Sequence, residues 1–272
     1  MKKKLKVGII GCGAIGTSLA KIIEGRLSEK FCVVAVCDAQ TAKAQALLRI
    51  CPRARALADA RRLIAVSDLV IEASSASVSY RFARQALSAG KSILVMSIGG
   101  ILGKEKGLFA ISRKTGARFL LPSGAICGLD GIRALSAVGI SSVTLNTSKP
   151  PKALAGAAFF KTHKVDLAAI RKKTLIFSGY AAQAVRFFPQ NINVVALLQL
   201  AAGPRVKVKV QILADPALGR NVHEIDVESK AARLKISCEN TASPDNPKTS
   251  YLAILSAAAS LAGFSDAVRI GS

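Results

Sequence analysis

Over roughly its first 120 residues the chain alternates between two hydrophobic patterns. Leu5–Ile10 (LKVGII), Phe31–Cys37 (FCVVAVC), Asp68–Ala73 (DLVIEA), Ser92–Met96 and Arg118–Leu121 are short, β-rich and apolar almost throughout. Between them, Ala14–Glu24, Thr41–Ile50, Ala76–Ala89 and Gly103–Lys114 have helical spacing; in the first of these Ile15, Leu19, Ile22 and Ile23 share one side. Continuous apolar strands separated by amphipathic helices predict βαβ units and a parallel sheet.

The rhythm changes at Pro122. PSGAICGLDGIRAL (Pro122–Leu135) starts as a glycine-rich turn and runs into a helix, and Val143–Thr147 reads as a strand that leads to KPPK. Tyr180–Phe188 and Asn191–Ala202 read as helices, followed by strands at Arg205–Leu213, Asn221–Val227 and Ala232–Cys238. In RVKVKVQIL valine alternates with lysine, so one face of that sheet is wet. A last helix, Lys248–Ala262, follows the turn signal PDNP. The predicted class is α/β: a doubly wound parallel sheet over residues 1–121, then an α+β domain with a mixed or antiparallel sheet over 122–247. The helix at 248–262 is expected to pack back on the first domain.

Composition narrows the classes. At 272 residues, 51% hydrophobic and 20% charged, the chain can bury a core and is not disordered. No run is long and apolar enough to span a bilayer, so a membrane protein is not expected. Six cysteines lack metal-site or disulfide-framework spacing, which suits a reducing cytoplasm. No metal site is expected. The net charge of +23 attracts anions. The excess is scattered, with five arginines in Arg49–Arg62 and five basic residues in Lys161–Lys173. No single stripe collects it and there is no tryptophan to stack bases, so a nucleic-acid partner is not expected.

Gly11-Cys12-Gly13-Ala14-Ile15-Gly16 is a G-x-G-x-x-G placed between a predicted strand and a predicted helix. The first glycine permits the tight turn, the second lets a pyrophosphate approach the backbone, and the third lets helix pack on strand. The helix N-terminus, at Ala14 and Ile15, offers free N–H groups to the phosphates. Asp38 follows the second strand, 22 residues after Gly16, where an acid would bind the adenosine ribose hydroxyls. The first domain is therefore read as a Rossmann domain that takes NAD or NADP, and Asp38, which repels a 2′-phosphate, favours NAD. Ala73 and Ser74 end a strand and are expected beside the nicotinamide ribose.

Of two histidines, His163 lies in a charged, loop-like segment (FFKTHKVD) and His223 enters a strand in RNVHEIDV beside Glu224. His223 is the stronger candidate. An imidazole suits proton transfer near neutral pH.

PSGAICGLDGI, the KPP at 149–151, FPQNINVVALLQLA, ADPALGRNVHEIDV and NPKTSYLAILS together resemble, in order and over nearly the whole chain, the L-aspartate dehydrogenase family. The resemblance implies a Rossmann domain plus an α+β catalytic domain, a homodimer, and reversible NAD(P)-dependent oxidative deamination of L-aspartate to iminoaspartate. The imine hydrolyses to oxaloacetate and ammonia or feeds NAD biosynthesis. The family's active-site histidine falls on His223, its cofactor-contacting alanine on Ala125 or the next small position, Cys127, and its asparagine on Asn191 or Asn193. Cys127 departs from the small residue expected there. On this reading His223 is the general base, and Lys149, Lys248, Arg133 and Ser123 are the candidates to hold substrate carboxylates. Glu224 is a weaker candidate to orient His223, because adjacent strand residues point to opposite faces. The layout alone also admits a homoserine or dihydrodipicolinate type of oxidoreductase, a dinucleotide sensor or a basic nucleic-acid binder; NVHEI and NPKTS speak against the first.

Overall fold

Each apolar run before Pro122 becomes a parallel strand. A computed structural model describes residues 3–188, 192–244, 246–268 and 270, with the side chains at 192, 247 and 248 outside the description. The elements of the first part are β1 (Leu5–Ile10), α1 (Ala14–Glu24), β2 (Phe31–Cys37), α2 (Thr41–Leu48), β3 (Arg55–Ala56), α3 (Ala60–Val66), β4 (Leu69–Glu72), α4 (Ala76–Ser88), β5 (Ser92–Val95), α5 (Glu105–Thr115) and β6 (Phe119–Leu120). The strands run in the order β3-β2-β1-β4-β5-β6, all parallel. The order reverses between β1 and β4, the place where an open α/β sheet leaves a crevice at its carboxyl edge. The short β3 and α3 were not foreseen; α3 starts because the Asp59 carboxylate accepts from the Arg61 N–H at 2.8 Å.

The second part begins at Ser123. It contains α6 (Leu129–Val138), β7 (Ile140–Lys149), α7 (Pro151–Leu154), β8 (Thr174–Tyr180), α8 (Ala181–Phe187), α9 (Ile192–Ala202), β9 (Lys209–Ala214), β10 (Asn221–Ser229) and β11 (Arg233–Asn240). The sheet runs β11-β10-β7-β9-β8 and is mixed: β7 and β9 are parallel, the other pairs antiparallel. β8 was not foreseen, and Tyr180 ends it rather than starting a helix. The expected strand Arg205–Leu213 pairs only from Lys209. Its alternation still holds in burial: Val208, Val210 and Ile212 are fully buried.

The chain then forms β12 (Ala242–Ser243), β13 (Asn246–Ser250) and α10 (Tyr251–Ser265). The helix expected from Lys248 thus begins at Tyr251, because 246–250 are extended. The chain divides into two compact units. The first takes the residues up to Pro122 with Pro244–Thr249 and Ala253–Ile270; the second takes Ser123–Ser243 and Ser250–Leu252. The first unit has two apolar layers. On one side of its sheet Leu19 and Ile23 of α1, Leu47 of α2 and Ile254, Ala257 and Leu261 of α10 pack on Val7, Ile9 and Val33. On the other, Leu63 of α3, Phe82 and Leu87 of α4 and Leu108 of α5 pack on Ile10, Val70 and Ile93.

Candidate active site

In the first unit the glycine loop leaves β1 and enters α1. Gly11 has φ +96°, and a Cβ there would lie 2.4 Å from the Ala73 carbonyl oxygen, so only glycine fits. A Cβ on Gly16 would lie 2.0 Å from the Gly11 oxygen, which is the close helix-on-strand contact expected of the third glycine. Gly13 differs: nothing lies within 4 Å of where its Cβ would be, which leaves open space over the backbone. No side chain caps α1 and no acid occupies its first turn, so Ala14 and Ile15 open a helix end suited to an anion. The Asp38 carboxylate is fixed at the loop, accepting from the Cys12 N–H at 2.7 Å and the Gln40 N–H at 2.8 Å. Open space at Gly13, a bare helix end and a fixed acid after β2 together fit a dinucleotide.

Ala73 donates its N–H to the Ile10 carbonyl at 2.8 Å, and Ser74 is exposed. Beneath them lies a group that the sequence reading passed over. Glu72, the last residue of β4, is fully buried. Its Oε1 accepts from the Ser74 N–H (2.8 Å), the Ser74 hydroxyl (2.7 Å) and the Ser97 hydroxyl (3.1 Å), and its Oε2 from the Ser97 N–H (3.1 Å). Burial pushes its carboxyl above the usual range and the four bonds oppose that shift. It ties the loops after β4 and β5 together. The only signal in sequence was an acid closing the apolar run DLVIEA.

In the second unit His223 lies within the interior strand β10, on the face that packs inward, and is 4% exposed. Across the sheet it faces Thr147 of β7 and Cys238 of β11. The Thr147 hydroxyl is 3.0 Å from His223 Nδ1. When Nδ1 carries the proton and donates to Thr147, Nε2 is left as the base. Two residues along β7, on the same face, Lys149 is 6% exposed. Burial lowers its ammonium to about 8. Burial, with the Lys149 charge adding to it, lowers His223 to about 4. Among the described residues no carboxylate pairs with Lys149. Glu224 does not orient His223: it points to the other face and pairs with Lys173 at 3.5 Å. Thr147 is the partner that sequence reading missed, because strand register is a long-range property.

Residues 130–264 match the family model for the C-terminal part of aspartate dehydrogenase, and residues 11–122 match the NAD-binding domain of homoserine dehydrogenase. An L-aspartate dehydrogenase of Methanosarcina mazei is 41% identical over 271 residues, covering 98% of this chain and 99% of its own. The chain belongs to the L-aspartate dehydrogenase family. A relative of the same name in Bradyrhizobium diazoefficiens is 36% identical, covering 95% of this chain and 91% of its own. The crystal structure of aspartate dehydrogenase from Thermotoga maritima superposes with a TM-score of 0.77 at 25% identity, covering 99% of this chain and 100% of that one. Family membership makes the protein a nicotinamide-dinucleotide-dependent dehydrogenase.

The remaining residues expected from the family fall as follows. Ser123 and Ala125 lie in the turn before α6, where the Ala125 carbonyl accepts from Asn240 Nδ2 at 3.0 Å. Cys127 is exposed, with its sulfur 3.2 Å from that of buried Cys238. Asn193 is exposed in the first turn of α9; Asn191 lies outside the described residues. The Lys248 side chain also lies outside them, and Arg133 is exposed on α6. His163 is exposed in a loop segment, as expected, and its ring stacks on Phe159 at 4.0 Å at the edge of an aromatic cluster with Phe177, Phe187 and Phe188.

Proposed function

We propose that the protein catalyses the reversible oxidative deamination of L-aspartate, with NAD preferred over NADP, and that His223 is its general base and Lys149 its carboxylate anchor. The observation that carries the reading is a neutral imidazole beside an unmatched cation, both buried on one face of one sheet. An ammonium without a counter-ion in such a place is costly until an anion arrives. A substrate carboxylate supplies that anion. Its negative charge also cancels the field by which Lys149 lowers His223, so the imidazole becomes a stronger base when substrate is bound.

A bound nicotinamide supplies the hydride acceptor for the substrate Cα. His223 Nε2 first takes a proton from the substrate ammonium. After releasing that proton to solvent, it takes one from the water that attacks the resulting imine and returns it to the nitrogen as the C–N bond breaks and ammonia leaves. Thr147 keeps the ring in the tautomer that leaves Nε2 free. The NAD preference rests on Asp38, whose carboxylate is held by two backbone N–H groups and would repel a 2′-phosphate. A homodimer is supported by the outer face of the second sheet. There Thr144, Asn146, Gln211, Glu224 and Asp226 are only partly exposed although mid-sheet, a polar surface suited to a second copy. Among the described residues no helix is long and apolar enough to cross a membrane.

The test is NADH consumption with oxaloacetate and ammonium, in wild type and His223→Ala. The variant is expected to lose at least about a hundredfold in turnover and to keep its NADH affinity. NADH binding without turnover in wild type would overturn the substrate assignment.

A further inference from the structure

Cys127 and Cys238 are 111 residues apart in sequence, and their sulfurs lie 3.2 Å apart in the second unit. Of the six free cysteines Cys127 is the exposed one, while Cys238 is buried on β11. We propose that this pair is an oxidation site: a hydroperoxide converts it to a reversible disulfide, and that bond lowers turnover at His223. The second half of the proposal rests on the role given to His223 above; the first half does not.

Three observations place the pair. The sulfurs need close only about 1.2 Å to reach bonding distance. Cys127 sits in the turn before α6, where glycines at 124 and 128 both have positive φ, so the approach does not require a regular element to move. Asn240, two residues beyond Cys238 on the same face, holds the Ala125 carbonyl at 3.0 Å and so presents the turn to β11. The link to activity is register: Cys238 is the direct cross-strand partner of His223. Side chains so paired are contact neighbours. A disulfide there pins the Ala125–Cys127 turn and changes the packing on one side of the imidazole.

The chemistry divides between the two thiols. The exposed Cys127, as thiolate, attacks the peroxide; the O–O bond breaks, a Cys127 sulfenic acid forms and water or an alcohol leaves. Burial first, and the neighbouring Cys127 second, raise the Cys238 thiol to about 11, so it stays protonated and acts second. Its sulfur attacks the Cys127 sulfur, the S–O bond breaks, and the hydroxyl leaves as water with the thiol proton. In total, two thiols and one hydroperoxide give one disulfide, one water and one alcohol (a second water for hydrogen peroxide). The two electrons pass from sulfur to the peroxide.

The experiment treats the full chain with graded hydrogen peroxide, alkylates the free thiols and maps peptides without reduction. NADH-dependent turnover is measured before and after dithiothreitol. We expect a peptide pair joined through Cys127 and Cys238, two hydrogens lighter than its parts. Turnover should fall at least about tenfold at full linkage, as expected for a small displacement beside a reacting group. The loss should follow the linked fraction and reverse with dithiothreitol. Cys238→Ala should form the Cys127 sulfenic acid without a linked pair. Oxidation of Cys127 in wild type without linkage to Cys238 overturns the site, whatever the substrate proves to be. Full linkage with unchanged turnover, or loss of turnover that does not follow linkage, overturns the control of activity.

Discussion

Two buried charges at strand ends separate the two halves of the molecule. Glu72 in the first unit has all its bonding met from within: four hydrogen bonds from Ser74 and Ser97 surround it. Lys149 in the second unit is nearly as deeply placed, yet no carboxylate among the described residues answers it, and its neighbour His223 has one side-chain hydrogen bond, to Thr147. Burial costs a charge in both cases, but only Glu72 recovers that cost in the folded chain itself. The contrast separates a group that builds the protein from a group that waits for a ligand.

The sharpest way to break that comparison is Lys149→Met. If the ammonium waits for a substrate carboxylate, kcat/KM for oxaloacetate falls about 10²–10³-fold, the cost of leaving a buried carboxylate unpaired. The same change makes the fold more stable by about 3 kcal/mol in urea titration at pH 7, because an ammonium lowered to about 8 is charged there at nearly full cost. Lost stability would mean that Lys149 is structural after all.

Next comes the pH dependence of His223. Its folded value of about 4 lies below the ordinary 6.5, so between these values the unfolded chain binds more protons than the folded one. Stability from this group is complete above pH 6.5 and falls by about 3 kcal/mol as pH drops toward 4. Denaturant midpoints compared with His223→Gln should show this difference, and a variant with the same pH slope as wild type would contradict it.

Glu72→Gln tests the other side. The amide must turn an N–H₂ toward a backbone N–H, so the fold should lose about 2 kcal/mol. NADH affinity, read by fluorescence titration, should weaken with the loosened loops. The smallest effect is expected for Thr147→Val. It should lower turnover by about tenfold with little change in KM, since a mis-set tautomer affects proton transfer rather than binding.

Local patterns made much of this readable. The G-x-G-x-x-G, the acid after β2 and the βαβ rhythm are short-range, and the structure brings the glycine loop and Asp38 together through the Cys12 N–H. His223 and Lys149 were visible as residue types inside unusual segments. What sequence could not supply was register. Thr147 meets His223 across 76 residues and Cys238 meets Cys127 across 111, contacts that depend on strand order rather than spacing. Glu72 was hidden because it closes a run that is otherwise apolar, and Glu224 stood out only because it is adjacent in sequence. β8 was missed because TLIFSGY is short and edge-placed, with Leu175 and Tyr180 exposed.

The place of α10 bears on how the protein is made. Ile254, Ala257 and Leu261 complete the apolar layer that α1 and α2 begin. At about 5–20 residues per second, a ribosome finishes α2 roughly ten seconds or more before it reaches Ile254. During that interval the nascent first unit carries an uncovered oily flank. Shortening the chain at its far end should therefore damage dinucleotide binding, whose residues lie near the beginning, before it damages the sheet that carries His223.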